Sequence, residues 1–221
     1  MKMMNVTADG HLVVEAKGIY SVEKFLVARR LMYWQVYLHH TSVAAEQLLI
    51  KILERAKVLA KQGVELFCSP ALHYFLYNRI TSEVFVQNPN ALNQYAMLDD
   101  ADLLSAIKVW IGCEDKVLSE LCQCFTNRRL FKGKLLDQPL SQEQVEALSE
   151  QYAERFGINK ADAHYFFVEH VSTSNTYSEK GEAIGILYKD GMVKDIADAS
   201  DMLSMESLTF KPQKRYLFRL V

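Results

Sequence analysis

The segment that most constrains the fold spans residues 29–40 and reads RRLMYWQVYLHH. It combines two arginines, three large aromatic residues and two histidines. No Gly or Pro interrupts the chain from Ser21 to Gly63, so the segment is predicted to lie in a long helix with Ser21 as its N-cap. An unbroken helix of that length would span roughly 60 Å. We therefore predict a bend at residues 40–42, where Thr and Ser side chains can bond back to the preceding turn.

The residue types on this helix suit two different environments. At about 100° per residue, Tyr37 lies about 80° from Arg29, at the edge of the same helix face. An arginine can hold a phosphate with two hydrogen bonds, and a tyrosine can bond a phosphate or stack on a base or sugar. On the residues alone, the alternative is a core helix in which Arg29 pairs with a carboxylate while Tyr33, Trp34 and Tyr37 pack.

The composition is that of a globular protein. Half of the residues are hydrophobic, 24% are charged and the formal net charge is −2, so no global field attracts nucleic acid or an anionic membrane. Residues 1–62 hold nine Lys/Arg against five Asp/Glu, a local charge of +4. That excess suits phosphate ligands, although it also fits an ordinary solvated face. We expect no membrane contact and no sequence-specific nucleic acid as a partner.

The termini and the cysteines point to a cytoplasmic protein. The first residues lack the apolar stretch of a signal peptide, and no apolar run is long enough to span a membrane. The four cysteines show no CxxC spacing, which favours buried, reduced thiols over a metal site. His39 and His40 point about 100° apart on a helix, so we expect no shared metal ion there.

The element pattern predicts a mainly α-helical protein with a small α+β C-terminal subdomain. We predict a helical region over residues 1–132, a linker over 133–140 and an α+β subdomain over 141–221. The helical region begins with a strand at 12–16, and later helices are capped by Ser69 and Asp99. Residues 88–90 read as a loop. In the C-terminal subdomain, a helix is predicted from the capping box of Ser141 and Gln144 to Gly157. Strands are predicted at 163–172, 183–189 and 192–196, with an Asp-Gly hairpin turn between the last two. A short helix near 200–207 and a strand at 215–221 follow.

Residues 12–132 resemble the part of HD-domain phosphohydrolases that follows the catalytic core, as found in deoxynucleoside triphosphate triphosphohydrolases. The resemblance rests mainly on the helix around residues 29–40. It implies that Arg29 and Tyr37, eight residues apart, contact the phosphates and sugar of the substrate, while Tyr33 and Trp34 remain core residues. Leu38 and Tyr33 depart from the polar residues of better-understood members, which puts base or sugar recognition in doubt.

A second group of cations ends the helical region, in the motif RRLFK at residues 128–132. The resemblance implies that Lys17, Arg128 and Lys132 bind the phosphates of an activating nucleotide between subunits. Cations at a helix end also complement the helix macrodipole, which is an equally good explanation from the residues alone.

The signature of the family is a His-Asp dipeptide that helps to hold a divalent metal, and none of the six histidines here is followed by Asp. We therefore expect no metal ligand, catalytic residue or cofactor in this chain, and a metal centre only in an HD core outside it. The expected function is the C-terminal portion of a metal-dependent nucleotide (dNTP) phosphohydrolase, inactive alone, which binds nucleoside triphosphate and forms a homo-oligomer. The alternatives are a non-catalytic nucleotide- or protein-binding module and a purely structural helical scaffold.

Overall fold

The computed structural model describes residues 3–173, 183–202 and 213–221, and within these ranges the protein is mainly α-helical with a small α+β part. The helices are α1 (Ile19–Met32), α2 (His40–Lys61), α3 (Pro70–Tyr77), α4 (Ser82–Gln87), α5 (Pro89–Met97), α6 (Asp100–Trp110), α7 (Lys116–Thr126), α8 (Gln142–Phe156) and α9 (Ile196–Ala199). The strands are β1 (Met4–Val6), β2 (Leu12–Glu15), β3 (Lys132–Leu136), β4 (Phe167–Thr173), β5 (Gly185–Leu187), β6 (Val193–Asp195) and β7 (Gln213–Arg219). Among the described helices, none is both long and apolar enough to cross a membrane.

The chain forms two compact units, and the first combines residues 1–39 with residues 171–214. Its sheet has the strand order β1-β2-β5-β6, in which β2 and β5 are parallel and the other neighbours are antiparallel. The core of this unit is small: Leu26 of α1 packs with Ile186, Ile196 and Ala197. A small core leaves much of α1 exposed, including several large apolar side chains.

The second unit combines residues 40–170 with residues 215–221 and contains the larger core. Helix α2 runs through it with Leu48, Ile52 and Ala56 fully buried. Strand β3 pairs antiparallel with β7, from Lys132↔Arg219 to Leu136↔Arg215, within the sheet β3-β7-β4. The hydroxyl of Tyr152 on α8 donates to the carbonyl of Leu220 at 2.5 Å, which ties this helix to the C-terminal segment.

Local capping chemistry was predictable from the sequence. The Ser69 cap of α3 and the Asp99 cap of α6 are confirmed, and Asp102 adds a capping box at α6 that was not predicted. The capping box of Ser141 and Gln144 opens α8, and Gly157 ends it in the left-handed conformation with φ 59°. The strand β2 and the β5–β6 hairpin are also confirmed, since both lie inside the predicted runs.

Other predicted elements need correction. Helix α1 begins at Ile19 with Gly18 at its N-cap, not at Ser21, and no side chain caps it. Residues 88–90 are not a loop, because the Asn88 side chain caps α5. The predicted strand at 163–172 begins only at Phe167, because residues 160–165 form a 3-10 helix. The predicted helix near residues 200–207 falls mostly outside the described residues.

The segment predicted as a linker contains most of β3, which pairs with the C-terminal strand. The largely exposed sequence KGKLL of this strand gave no sign of the pairing. Each compact unit also draws on both sides of this segment, so the units do not follow the boundary at residue 132. The predicted bend lies slightly earlier than expected: the helical backbone is interrupted at residues 38–39 and resumes at His40.

Candidate functional site

Arg29 at the end of α1, and Tyr33 and Tyr37 in the turn that follows it, contact one another in sequence. The guanidinium carbon of Arg29 lies 5.7 Å from the centroid of the Tyr33 ring, a cation–π distance. The ring centroids of Tyr33 and Tyr37 are 5.4 Å apart. The Tyr37 side chain is 57% exposed, so a ligand can reach it from solvent. This arrangement presents a cation, a ring face and two phenol hydroxyls along one side of the helix.

A π-helical turn over Tyr33–Tyr37 sets the spacing of this series. The N–H of Leu38 donates to the carbonyl of Tyr33, five residues earlier, at 2.6 Å. Such a turn accommodates one residue more than an α-helical turn, so Arg29 and Tyr37 are related as residues seven apart in an α-helix. They therefore lie within about 20° of each other instead of about 80°. Single π turns inside α-helices occur frequently at functional sites.

The prediction that Tyr33 and Trp34 are core residues is wrong. Both side chains are only partly buried. Tyr33 bridges Arg29 and Tyr37, as described above, and the ammonium of Lys214 lies 4.5 Å from the centroid of the Trp34 ring. The aromatic residues of this segment are spread around a helix with a small core behind it, so the first unit cannot bury them all.

Lys17 lies in a short 3-10 turn of the first unit, over Ala16–Gly18. Its ammonium is 2.6 Å from a carboxylate oxygen of Glu15, and the lysine side chain is largely exposed. Exposed pairs of this kind contribute little to stability, about 0–1 kcal/mol, so a phosphate can compete for the ammonium.

Arg128 and Lys132 lie in the second unit, where α7 ends and β3 begins. Both side chains are exposed. Arg128 has a φ of 55°, and among the described residues it is the one non-glycine residue with a positive φ. The N–H of Arg129 bonds the carbonyl of Cys124, so Arg128 occupies the position after a helix where glycine is preferred. A side chain there costs roughly 1–2 kcal/mol, which a helix terminator alone does not require.

A partly buried ion cluster in the second unit was not predicted from the sequence. Arg55 on α2 donates to both oxygens of Asp115, at 2.5 and 3.0 Å, and to Asp162 at 2.9 Å. Its guanidinium also lies over the ring of Tyr165, 5.4 Å from the centroid. Asp115 in addition caps α7 by accepting from the N–H of Leu118. The cluster joins three segments through the one guanidinium that both carboxylates share, which makes it a structural element.

The electrostatics of this cluster follow from its contacts. The hydrogen bond that Arg55 donates to Asp115 outweighs burial and raises the pKa of Arg55 above its usual range. Burial alone would raise the pKa of Asp115, but hydrogen bonds from Arg55 and from Leu118 hold it below its usual value. Both residues are therefore charged at neutral pH.

The four cysteines are free thiols; Cys122 and Cys124 are buried as predicted, whereas Cys68 and Cys113 are only partly buried. Burial is the main cause that raises the pKa of Cys124 to about 12. Within the described ranges, no three His, Cys, Asp or Glu side chains lie together in a way that could hold a metal ion. The described residues therefore do not fit the divalent metal that the HD family uses.

Comparison with known proteins finds a family model that matches the first part of the chain. Residues 2–65 match the family model of the HD associated region, and this range contains Lys17, Arg29 and Tyr37. Arg128 and Lys132 lie beyond it. The matched range supports an HD-associated region that is related to phosphohydrolases.

Individual relatives extend this likeness to nearly the whole chain. A phosphohydrolase from Bacteroides thetaiotaomicron shares 49% identity and a TM-score of 0.89 over 99% of this chain and 54% of its own. The uncharacterized protein YwfO of Bacillus subtilis strain 168 is 29% identical over 210 residues, which are 92% of this chain and 45% of YwfO. A hypothetical protein from Aquifex aeolicus, 19% identical, has a TM-score of 0.54 over 99% of this chain and 46% of its own, and shares the fold alone. The chain spans about half the length of these relatives.

Proposed function

We propose that this chain is the HD-associated portion of a nucleotide phosphohydrolase and that it contributes contacts to the phosphates and sugar of a dNTP substrate. The observation that carries the proposal is the alignment of Arg29 with Tyr37 by the π turn. As a result, a guanidinium that can donate hydrogen bonds to phosphate and an exposed aromatic hydroxyl share one helix face. The likeness to a phosphohydrolase supports the same conclusion, because that relative matches over 99% of this chain.

The role proposed for Arg29 is to hold a phosphate oxygen with charge-assisted hydrogen bonds, which are about twice as strong as neutral ones. Tyr33 lies under the guanidinium and favours one orientation of it. Tyr37 lies one α-helical turn and one π turn beyond Arg29, so it would contact the sugar or a second phosphate group. Its neighbour Leu38 is apolar and adds no hydrogen-bond donor from its side chain.

We further propose that Lys17, Arg128 and Lys132 contact the phosphates of an effector nucleotide that binds between subunits. The strained backbone at Arg128 supports a role beyond ending a helix, because an unstrained residue would otherwise be preferred there. The exposure of Lys132 and the weak pairing of Lys17 leave both ammonium groups able to exchange partners.

The catalytic metal would be supplied by residues outside this chain, so the chain alone should bind nucleotide without hydrolysing it. The test is incubation of the purified 221-residue chain with dGTP and dATP in the presence of Mg²⁺ or Mn²⁺. Phosphate and triphosphate release are both measured. No release above the protein-free rate is expected, whereas metal-dependent release would overturn the division of labour proposed here.

A second candidate function is a protein-binding module, and the apolar exposure of α1 favours it. Phe25 and Leu31 are among several large apolar side chains on this helix that are more than half exposed. Exposed apolar patches commonly mark protein interfaces, so we also propose that the chain self-associates. Light scattering across a concentration series should show an increasing mass. A concentration-independent monomer that binds no hydrophobic dye would argue against this.

A further inference from the structure

Helix α1 carries a buried carboxylate whose hydrogen bonding is incomplete. Glu23 is 2% exposed. One of its oxygens accepts a hydrogen bond from the hydroxyl of Ser200, at the end of α9, and the other oxygen has no partner. A buried carboxylate oxygen without a donor costs free energy, and the cost is recovered when a cation or N–H group reaches it. The unpartnered oxygen therefore indicates a missing donor.

A bound ligand could supply this donor, because Glu23 lies on the wall of a pocket of about 520 Å³ in the first unit. This volume is within the range of about 300–1,000 Å³ that small-molecule sites occupy. The remaining wall is largely apolar and includes the Tyr20 ring. The other lining residues are Lys24, Val27, Ala28, Leu31 and Met202.

The chemistry of the wall selects a class of ligand. An anion would be repelled by Glu23, and a neutral hydrocarbon would leave its oxygen unpaired. A cation with an apolar body would satisfy both the carboxylate and the aliphatic wall, and Tyr20 offers a ring for stacking or cation–π contact. Lys24 is exposed, so its aliphatic stem can line the pocket while its ammonium stays in water.

We propose that this pocket binds an organic cation, an amine or amidine on an aromatic or aliphatic body, whose N–H donates to Glu23. Because the carboxylate is buried beneath the wall, binding requires a lining side chain to shift. Met202 is 73% exposed and has three rotatable bonds, so it can move at little cost. The site uses none of the residues proposed to contact nucleotide.

The test compares two probes that share an indole ring and differ in charge. Tryptamine and indole-3-propionate are titrated separately into the full chain, with binding followed by saturation-transfer NMR and calorimetry. The expected result is a preference for tryptamine of at least about tenfold, as a charge-assisted hydrogen bond implies. Equal binding of the two probes, or no tryptamine binding at millimolar concentration, would overturn the proposal; in the latter case the pocket is left for a cationic side chain of a partner protein.

Two variants locate the binding. Glu23→Gln keeps the size of the side chain and its acceptor for Ser200 but removes the charge, and should weaken tryptamine binding by at least about tenfold. Ala28→Phe fills the pocket from an exposed position and should abolish binding even if Glu23→Gln fails to fold. Glu143→Gln, on the exposed first turn of α8, is the matched control and should bind like wild type. Wild-type affinity in a folded Glu23→Gln or Ala28→Phe chain would place the ligand elsewhere.

Discussion

The N–H of Leu38 donates to the carbonyl of Tyr33 at 2.6 Å, and this single bond closes the π turn that follows α1. The turn accommodates one additional residue and so brings Tyr37 into line with Arg29. Spacing on an α-helix would have placed the two side chains about 80° apart. The proposed phosphate site on this helix therefore depends on a local backbone irregularity as much as on the residue types.

Replacement of Arg128 by Gly should stabilise the protein while weakening nucleotide binding. Glycine adopts a positive φ without strain, which recovers roughly 1–2 kcal/mol, less about 0.5–1 kcal/mol for its larger entropy when unfolded. Denaturant unfolding should show a net gain of at most about 1.5 kcal/mol. Arg128→Ala loses the same charge but keeps the strained φ, so it should bind nucleotide as weakly without the gain in stability. A loss of stability in Arg128→Gly would show that the side chain itself supports the fold.

Removal of the Arg55 side chain should be among the most destabilising changes in the second unit. Arg55→Ala leaves the partly buried Asp115 and Asp162 without their cation, so the cost should lie between the roughly 1 kcal/mol of an exposed pair and the about 3–5 kcal/mol of a fully buried one. Urea unfolding measures the change, with the exposed Arg79→Ala as control, which should stay within about 0.5 kcal/mol of wild type. A loss below 1 kcal/mol would mean that the cluster is solvated and weak.

The same cluster makes stability depend on pH in the acid range. The pKa of Asp115 is lower in the folded chain than its usual value of about 3.9. A depressed carboxyl pKa contributes stability that is present above the unfolded pKa and is lost as pH falls through the folded one. The free energy of unfolding should therefore fall steeply below about pH 4 in wild type. Asp115→Asn should be less stable at neutral pH and should show a shallower acid slope; an unchanged slope would assign the acid sensitivity to other carboxylates.

The sequence predicted those features that depend on local chemistry. The caps at Ser69, Asp99 and Ser141, and the Asp-Gly hairpin turn, each follow from residues within a few positions of one another. The features that depend on distant partners were not predictable. Strand β3 is defined by its pairing with β7, about 80 residues later in the chain. The Arg55 cluster joins residues that are 60 and 107 positions apart.

The candidate site was likewise only partly predictable from the sequence. The family resemblance singled out Arg29 and Tyr37 as a pair, whereas the residues alone also fitted a packed core helix, and the π turn between them leaves no signal in the residue pattern. Tyr33 was assigned to the core because aromatic residues at helical spacing usually pack inward. That assignment failed because the core of the first unit is too small to bury it. The strain at Arg128 had a sequence signal, since no glycine follows α7 before Gly133.

Two groups of side chains are proposed to recognise nucleoside triphosphate, and titration calorimetry with dGTP and dATP at two ionic strengths tests this most directly. Wild type, Arg29→Ala, Tyr37→Phe, Arg128→Ala and the control Arg79→Ala are compared. Binding should be measurable and weaker at higher salt, because exposed charges are screened. Arg128→Ala should lose the most affinity, Arg29→Ala and Tyr37→Phe less, and Arg79→Ala none. Absence of heat at millimolar nucleotide would contradict nucleotide recognition by this chain. Equal affinity in wild type and Arg128→Ala would contradict the role proposed for Arg128.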